Sequence, residues 1–275
     1  MIGQEQLLDK IKNLIENNKL PKFMLLIGQK GSGKKCLAKE IAKLLDVDIV
    51  MFNNKVDDTR ECIQLAYEQK SPILYVLTDG DTMSIAAKNS ILKLVEEPPT
   101  NATIIMLAEN EQSILPTILS RAYLIKMENY NITQLKAYIE LKQTAFTDDE
   151  VEEIVEICDN PGMINDLMLP ENKEVMELAK KLVNNIDKVT LSNVLKVTKK
   201  LKLTESSEGI DVRLFVNCLE HYCYNAFIKT RDVKYSRFYN EIINTRKLIR
   251  INTTNKLYTV DNMLIQGWKI WNYGN

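Results

Sequence analysis

Histidine is almost missing from this chain: His221 is the only one in 275 residues. That weakens any nucleophile paired with an imidazole base, and leaves His221 as a helix-surface or packing residue. Cysteine is sparse and scattered. Cys36, Cys62, Cys158, Cys218 and Cys223 include no C-x-x-C pair, so neither a disulfide framework nor a zinc site is indicated, and a reducing cytoplasm fits. No apolar run approaches the length of a membrane span, and Met1-Ile2-Gly3-Gln4-Glu5 does not have the makeup of a signal peptide. Internal repeats and low-complexity tracts are absent too.

What is present is a globular balance, 45% hydrophobic and 27% charged, in a chain long enough for two or three modest domains. The net charge of −1 is unevenly spread: residues 171–275 hold 18 Lys/Arg against 11 Asp/Glu. Either two solvated faces or a C-terminal part that lies near DNA or an acidic partner would account for this.

The strongest local signal is Gly28-Gln29-Lys30-Gly31-Ser32-Gly33-Lys34, with G-x-x-x-x-G-K spacing. It follows the apolar run Phe23–Ile27 and precedes the helical pattern Cys36–Ala42. In that setting backbone N–H groups and a helix N-terminus cradle phosphates, and Lys34 neutralises them. Gly28, Gly31, Ser32, Gly33, Lys34 and Lys35 are therefore the candidate phosphate-binding residues. Yet Lys35 stands where a Ser or Thr hydroxyl should ligate magnesium. The cradle is kept and the metal ligand is not.

Up to about residue 120 helical and strand-like segments alternate, which predicts a parallel sheet covered on both faces. Helices are expected over Gln4–Asn17, 34–45, Thr59–Glu68, Ser84–Val95 and Leu115–Ser120. Strands are expected over 23–27, Val47–Phe52, Ile73–Leu77 and Thr103–Ala108. Beyond about residue 128 only helices are expected. One of them opens on the capping box Thr147-Asp148-Asp149-Glu150 and stops at Asn160-Pro161-Gly162. Leu214, Leu219 and Tyr222 are expected in a helical core, and Trp268 and Trp271 pack rather than form a ligand cage. The domain boundaries follow: an α/β nucleotide-binding-like domain over 1–128, a small helical unit over 129–174, and an all-α unit over 175–275.

Three stretches together resemble the clamp-loader family within the AAA+ ATPases. Ile2-Gly3-Gln4-Glu5 with Lys22-Phe23-Met24-Leu25 resembles the family's opening. Ala87-Lys88-Asn89-Ser90-Ile91-Leu92-Lys93-Leu94-Val95-Glu96-Glu97-Pro98-Pro99 resembles its Asn-Ala-Leu-Leu-Lys…Glu-Glu-Pro-Pro helix. Leu115–Ala122 resembles its Ser-Arg-Cys segment, with Ala122 in the Cys place. The resemblance implies an AAA+ α/β domain, a lid over 129–174 and an oligomerising collar over 175–275.

Carried over residue by residue, the resemblance implies a damaged ATP site. The family's Asp-Glu-Ala-Asp tetrad falls on Thr78-Asp79-Gly80-Asp81, so the magnesium-holding Asp becomes Thr78 and the water-polarising Glu becomes the shorter Asp79. Asn110 matches the first sensor, which would touch a γ-phosphate. The second sensor's Arg falls on Asn165, and Asn160-Pro161-Gly162 resembles the lid turn of the delta-prime branch. Arg121 is retained, and in this family it reaches into a neighbour's site as an arginine finger. The family's four-Cys zinc module is absent, since only about 45 residues separate Lys34 from Asp79.

What the resemblance implies is a delta-prime-like subunit of a DNA polymerase III type clamp loader without ATPase activity of its own. It would hold ATP or ADP weakly, with neither magnesium nor zinc. Implied partners are gamma/tau-like and delta-like subunits, the sliding clamp and primer-template DNA, in a bacterial or phage-infected cytoplasm, with no membrane. The alternative is a working AAA+ ATPase, either the loader's motor subunit or a related DNA remodeller. For Arg121 a surface role beside a local carboxylate stays open, as does a solvated-loop role for Asp79 and Asp81.

Overall fold

The computed structural model describes residues 2–144, 146–172, 174–202, 210–249 and 255–274. The chain divides into two compact units, Met1–Tyr138 and Ile139–Asn275.

The first unit contains α1 (Glu5–Glu16), β1 (Phe23–Ile27), α2 (Lys34–Leu45), β2 (Asp48–Phe52), α3 (Val56–Glu68), β3 (Ile73–Leu77), α4 (Ile85–Ser90), α5 (Leu92–Glu96), β4 (Ala102–Ala108), α6 (Pro116–Leu119) and β5 (Tyr123–Lys126). The five strands form one sheet in the order β2-β3-β4-β1-β5, and every pairing is parallel. β1, β3 and β4 are apolar along almost their whole length because both faces are covered. Their alternate residues divide cleanly between two cores. Phe23, Leu25, Tyr75, Leu77, Ile104 and Met106 pack with Cys62, Ala66, Ala87, Ile91 and Leu94 from α3, α4, α5 and the turn between α4 and α5. Met24, Leu26, Leu74, Val76, Ile105 and Leu107 pack on the other side with Leu7, Ile11, Leu37 and Ile41 from α1 and α2.

Two details depart from the expected pattern. The helix expected over Ser84–Val95 is two helices, with Ile91 (φ −82°, ψ −7°) as the turn residue between them. A fifth strand, β5, was not among those expected. It is four residues long, and only Ile125 is buried, so it carries little of the strand-like apolar signal.

Helix α7 (Ile132–Leu141) runs across the division. The second unit continues with α8 (Asp148–Ile157), α9 (Pro161–Leu167), α10 (Val175–Asn185), α11 (Leu191–Leu195), β6 (Leu201–Lys202), β7 (Ile210–Asp211), α12 (Val212–Thr230), α13 (Val233–Leu248) and α14 (Lys256–Tyr273). The capping box is formed: Glu150 N–H donates to the Thr147 hydroxyl, and Thr147 N–H donates to Glu150 Oε2 at 2.8 Å. Leu214, Leu219 and Tyr222 are buried. Trp271 meets Tyr235 and Phe238 edge to face, and Trp268 Nε1 donates to the Val189 carbonyl at 2.8 Å. The expectation of helices alone is corrected by the two-residue parallel ladder of β6 and β7. Residues 203–209 and 250–254 of the expected helical tail lie outside the described residues, as does Met1. Arg246 fastens α13 to its neighbours with ion pairs to Asp159 at 2.7 Å and to Glu220 at 2.6 Å.

Candidate functional site

The parallel order brings the sequence motifs to one edge of the sheet. β4 lies between β1 and β3, in register with Ile27 opposite Ala108 and Leu77 opposite Met106. The loop after β1, Thr78-Asp79 after β3 and Asn110 after β4 therefore leave three adjacent strands at their carboxyl ends. That edge is where open α/β sheets hold their ligands.

The phosphate-loop candidates follow β1. Gly28 N–H continues the ladder by donating to the Ala108 carbonyl at 3.1 Å. A Cβ at Gly28 would come within 2.6 Å of Met127 Cγ and 2.7 Å of Ser32 Oγ, so only glycine fits there. Gly31 and Gly33 take φ of +86° and +93°, which turns the chain into α2. Lys34 opens α2 and curls back, its ammonium donating to the carbonyls of Gly28 at 2.5 Å and Gln29 at 3.0 Å. Ser32 is 6% exposed, and its hydroxyl has no hydrogen-bond partner. Lys35 and Cys36 in the first turn are both exposed.

The N-terminal motif acts on this loop through packing. Gly3 has φ +73°, and a Cβ on it would stand 2.6 Å from the Tyr130 ring. Tyr130 donates its hydroxyl proton to the Ser32 carbonyl at 3.0 Å. Gln4, fully buried, exchanges two hydrogen bonds with the Glu128 backbone, at 2.8 and 2.9 Å. Gly3 and Gln4 thus seat the segment after β5 against the glycine loop.

The residues present do not fit the magnesium that this fold family implies. The Thr78 side chain is buried, and its hydroxyl donates to Asp79 Oδ2 at 2.9 Å. Asp79 itself sits at φ +55°, a left-handed conformation that Asp tolerates better than most residues. Asp81 is committed elsewhere. Its carboxylate accepts from the backbone N–H of Glu109 at 2.5 Å and of Asn110 at 2.9 Å, and from the Ser113 hydroxyl at 2.5 Å. It is a structural clamp between the turns after β3 and β4, which excludes the solvated-loop reading for that residue. Among the described residues no group of three or more His, Cys, Asp or Glu could hold a metal ion.

Sequence reasoning missed the second half of this clamp. Lys88, buried in α4, donates to the carbonyls of Ser113 at 2.6 Å and Asp81 at 3.3 Å. Burial pulls its ammonium below the ordinary lysine range, and the Asp81 charge opposes that. Asn110 is half-buried, donates its N–H to Asp81 and accepts from Gln112 N–H through its side chain at 3.0 Å. No local pattern in the sequence announces this arrangement, because the bonds that join the turn after β3 and helix α4 to the turn after β4 link residues 25 to 32 positions apart.

Arg121 follows α6, and its side chain is 43% exposed. Its guanidinium donates to the Thr117 carbonyl at 3.0 Å and to the Ser120 hydroxyl at 3.2 Å, and stands 3.2 Å from Glu96 Oε1. Glu96 ends α5, so the Glu-Glu-Pro-Pro and Ser-Arg motifs meet in one ion pair. Asn165 lies in α9, in the second unit.

Residues 59–131 match the family model described as "DNA polymerase III, delta subunit". The chain is 24% identical over 172 residues to the DNA polymerase III subunit tau/gamma of Haemophilus influenzae, covering 50% of this chain and 25% of that protein. With DNA polymerase III subunit gamma of Buchnera aphidicola subsp. Schizaphis graminum the identity is 25% over 218 residues, covering 67% and 60%. The chain thus spans less than two thirds of either relative. Among solved structures, the Thermotoga maritima RuvB Holliday junction branch migration motor superposes with a TM-score of 0.52 at 15% identity, covering 82% of this chain and 88% of that one. That likeness concerns fold alone. Motifs in order along 2–122, a family-model match over 59–131 and a shared sheet architecture make the chain similar to the clamp-loader proteins of the AAA+ class.

Proposed function

We propose that the chain is a delta-prime-like, non-hydrolysing subunit of a DNA polymerase III type clamp loader. It assembles with gamma/tau-like ATPase and delta-like subunits through its helical tail, 175–275, with 129–174 as a lid. It presents Arg121 to the ATP of a neighbour and takes part in placing the sliding clamp on primer-template DNA in the cytoplasm. Its own loop holds ATP or ADP weakly.

The observation that carries this reading is a contrast within one unit. Arg121 is accessible at the surface, whereas Lys35, Thr78 and the committed Asp81 leave its own site without a metal-holding set. An arginine that meets charge developing on a transferring phosphoryl group is worth about 10³–10⁵-fold in rate. The test is steady-state ATP turnover by a loader reconstituted with its host's motor subunit, clamp and primed DNA. Arg121→Ala is expected to cut turnover by at least about 10²-fold while leaving assembly intact. Unchanged turnover sinks the mechanism.

A second reading, a motor subunit, is favoured by the gamma and tau names of the curated relatives. It requires hydrolysis by the isolated chain that Lys34→Ala abolishes.

A further inference from the structure

The glycine loop is built for an anion, yet the metal that usually accompanies that anion has no seat beside it. We propose that this loop binds a metal-free diphosphate, with the Lys35 ammonium taking the place of the divalent cation. The inference rests on reading 28–34 as a phosphate cradle. It does not depend on Arg121 acting on a neighbour, so either can fail without the other.

Three observations converge. The N-terminus of the 12-residue α2 lies at the carboxyl edge of the sheet, where its dipole favours negative charge and the left-handed Gly31 and Gly33 let the backbone wrap an anion. Ser32 Oγ is buried without a partner. It is turned into the loop, since a Cβ on Gly28 would stand 2.7 Å from it. A buried hydroxyl left unsatisfied is unfavourable, and a phosphate oxygen inside the loop would accept its proton. Finally, Lys34 spends hydrogen bonds on the carbonyls of Gly28 and Gln29, contacts that an entering phosphate would replace with a charge-assisted pair.

Magnesium is disfavoured for a definite reason. In an ordinary loop of this type, the hydroxyl after the lysine and a carboxylate from another strand end hold the ion against the β- and γ-phosphate oxygens. Here the first position is an exposed ammonium and the second is a hydroxyl already donating to Asp79. A divalent ion on the phosphates would stand beside the Lys35 charge and would remove ligand charge that the lysines need. Binding is therefore strongest for the bare, most anionic form of the ligand. Ordinary phosphate loops show the opposite preference.

The experiment is isothermal titration of the full chain with ADP and, separately, with inorganic pyrophosphate, each in EDTA and in excess magnesium. Both ligands are expected to bind about tenfold more tightly in EDTA, the scale of one unit-charge interaction screened by bulk water. Lys34→Ala is expected to abolish binding, which locates it in the loop. Lys35→Thr restores the missing hydroxyl and is expected to shrink the magnesium effect to less than about threefold. Binding that magnesium leaves unchanged or strengthens overturns the proposal, as does absence of binding in both conditions. An undiminished magnesium effect in Lys35→Thr overturns the role of Lys35. Binding of ADP without pyrophosphate overturns the diphosphate as the recognised group; binding of pyrophosphate alone upholds it, with the free ion as its source.

Discussion

Removing the Asp81 carboxylate should loosen the edge of the sheet that carries the site. Asp81→Ala deletes three hydrogen bonds to an anionic acceptor, from Glu109 N–H, Asn110 N–H and the Ser113 hydroxyl. Each such bond contributes about 1.5–3 kcal/mol when well buried. Asp81 is only half-buried, so water would re-satisfy part of what is lost, and we take the lower bound and discount it. The buried Lys88 also loses the opposite charge that offsets its desolvation. Together these predict a loss of about 3 kcal/mol from the first unit, or roughly 6–12 °C in its thermal transition. Asp81→Asn keeps one acceptor but turns an amide donor toward a backbone N–H, and should lose about half as much. Differential scanning calorimetry of the full chain measures both variants. A loss below about 1 kcal/mol for Asp81→Ala would refute the clamp, since surface substitutions away from any special feature commonly fall within that size.

Other outcomes follow from the same contacts. Arg246→Ala leaves Asp159 and Glu220 facing each other without their shared cation, and should destabilise the second unit by about 2–4 kcal/mol in chemical denaturation. Glu96→Ala removes an exposed partner of Arg121, so stability should change by less than about 1 kcal/mol. If Arg121 acts on a neighbour's ATP as proposed, turnover of the reconstituted loader carrying this variant should equal or exceed the parent's, because the guanidinium is released. His221 is held below the usual histidine range by burial, against the pull of Glu156 and Glu153. With its folded pKa below its unfolded one, the unfolded chain binds the extra proton, so stability of the second unit should fall as pH drops through and below about 6.5. His221→Gln should flatten that slope in melts between pH 7 and pH 5. Gly267 in α14 faces the Phe238 ring of α13 too closely for a Cβ, so Gly267→Ala should cost about 1–3 kcal/mol, read by urea unfolding.

The sheet was legible because β1, β3 and β4 are short apolar runs separated by helix-period segments, and their alternate residues divide between two faces as that pattern requires. β5 was not, since a four-residue edge strand with one buried side chain has no periodicity to detect. The division between α4 and α5 has no sequence signal, because Ile91 keeps the helical spacing of apolar residues on both sides of the turn. At the site, the cradle was legible as a contiguous string from Gly28 to Lys34. The second use of its surroundings was hidden. Asp81 with Ser113, Gln4 with Glu128, and Glu96 with Arg121 are joined only after strands distant in sequence become neighbours. A local pattern states which residues are available for chemistry. Strand order decides which of them are already occupied.

The five thiols offer a practical consequence. Cys62, Cys158, Cys218 and Cys223 are buried, and burial raises all four, the Cys62, Cys158 and Cys223 thiols to about 12. Cys36 alone is exposed, and it lies in the first turn of α2, two residues beyond Lys34. The folded chain therefore carries a single thiol open to alkylation, placed at the mouth of the glycine loop. A maleimide fluorophore would attach there without any mutation, and its emission would report whether the loop is filled.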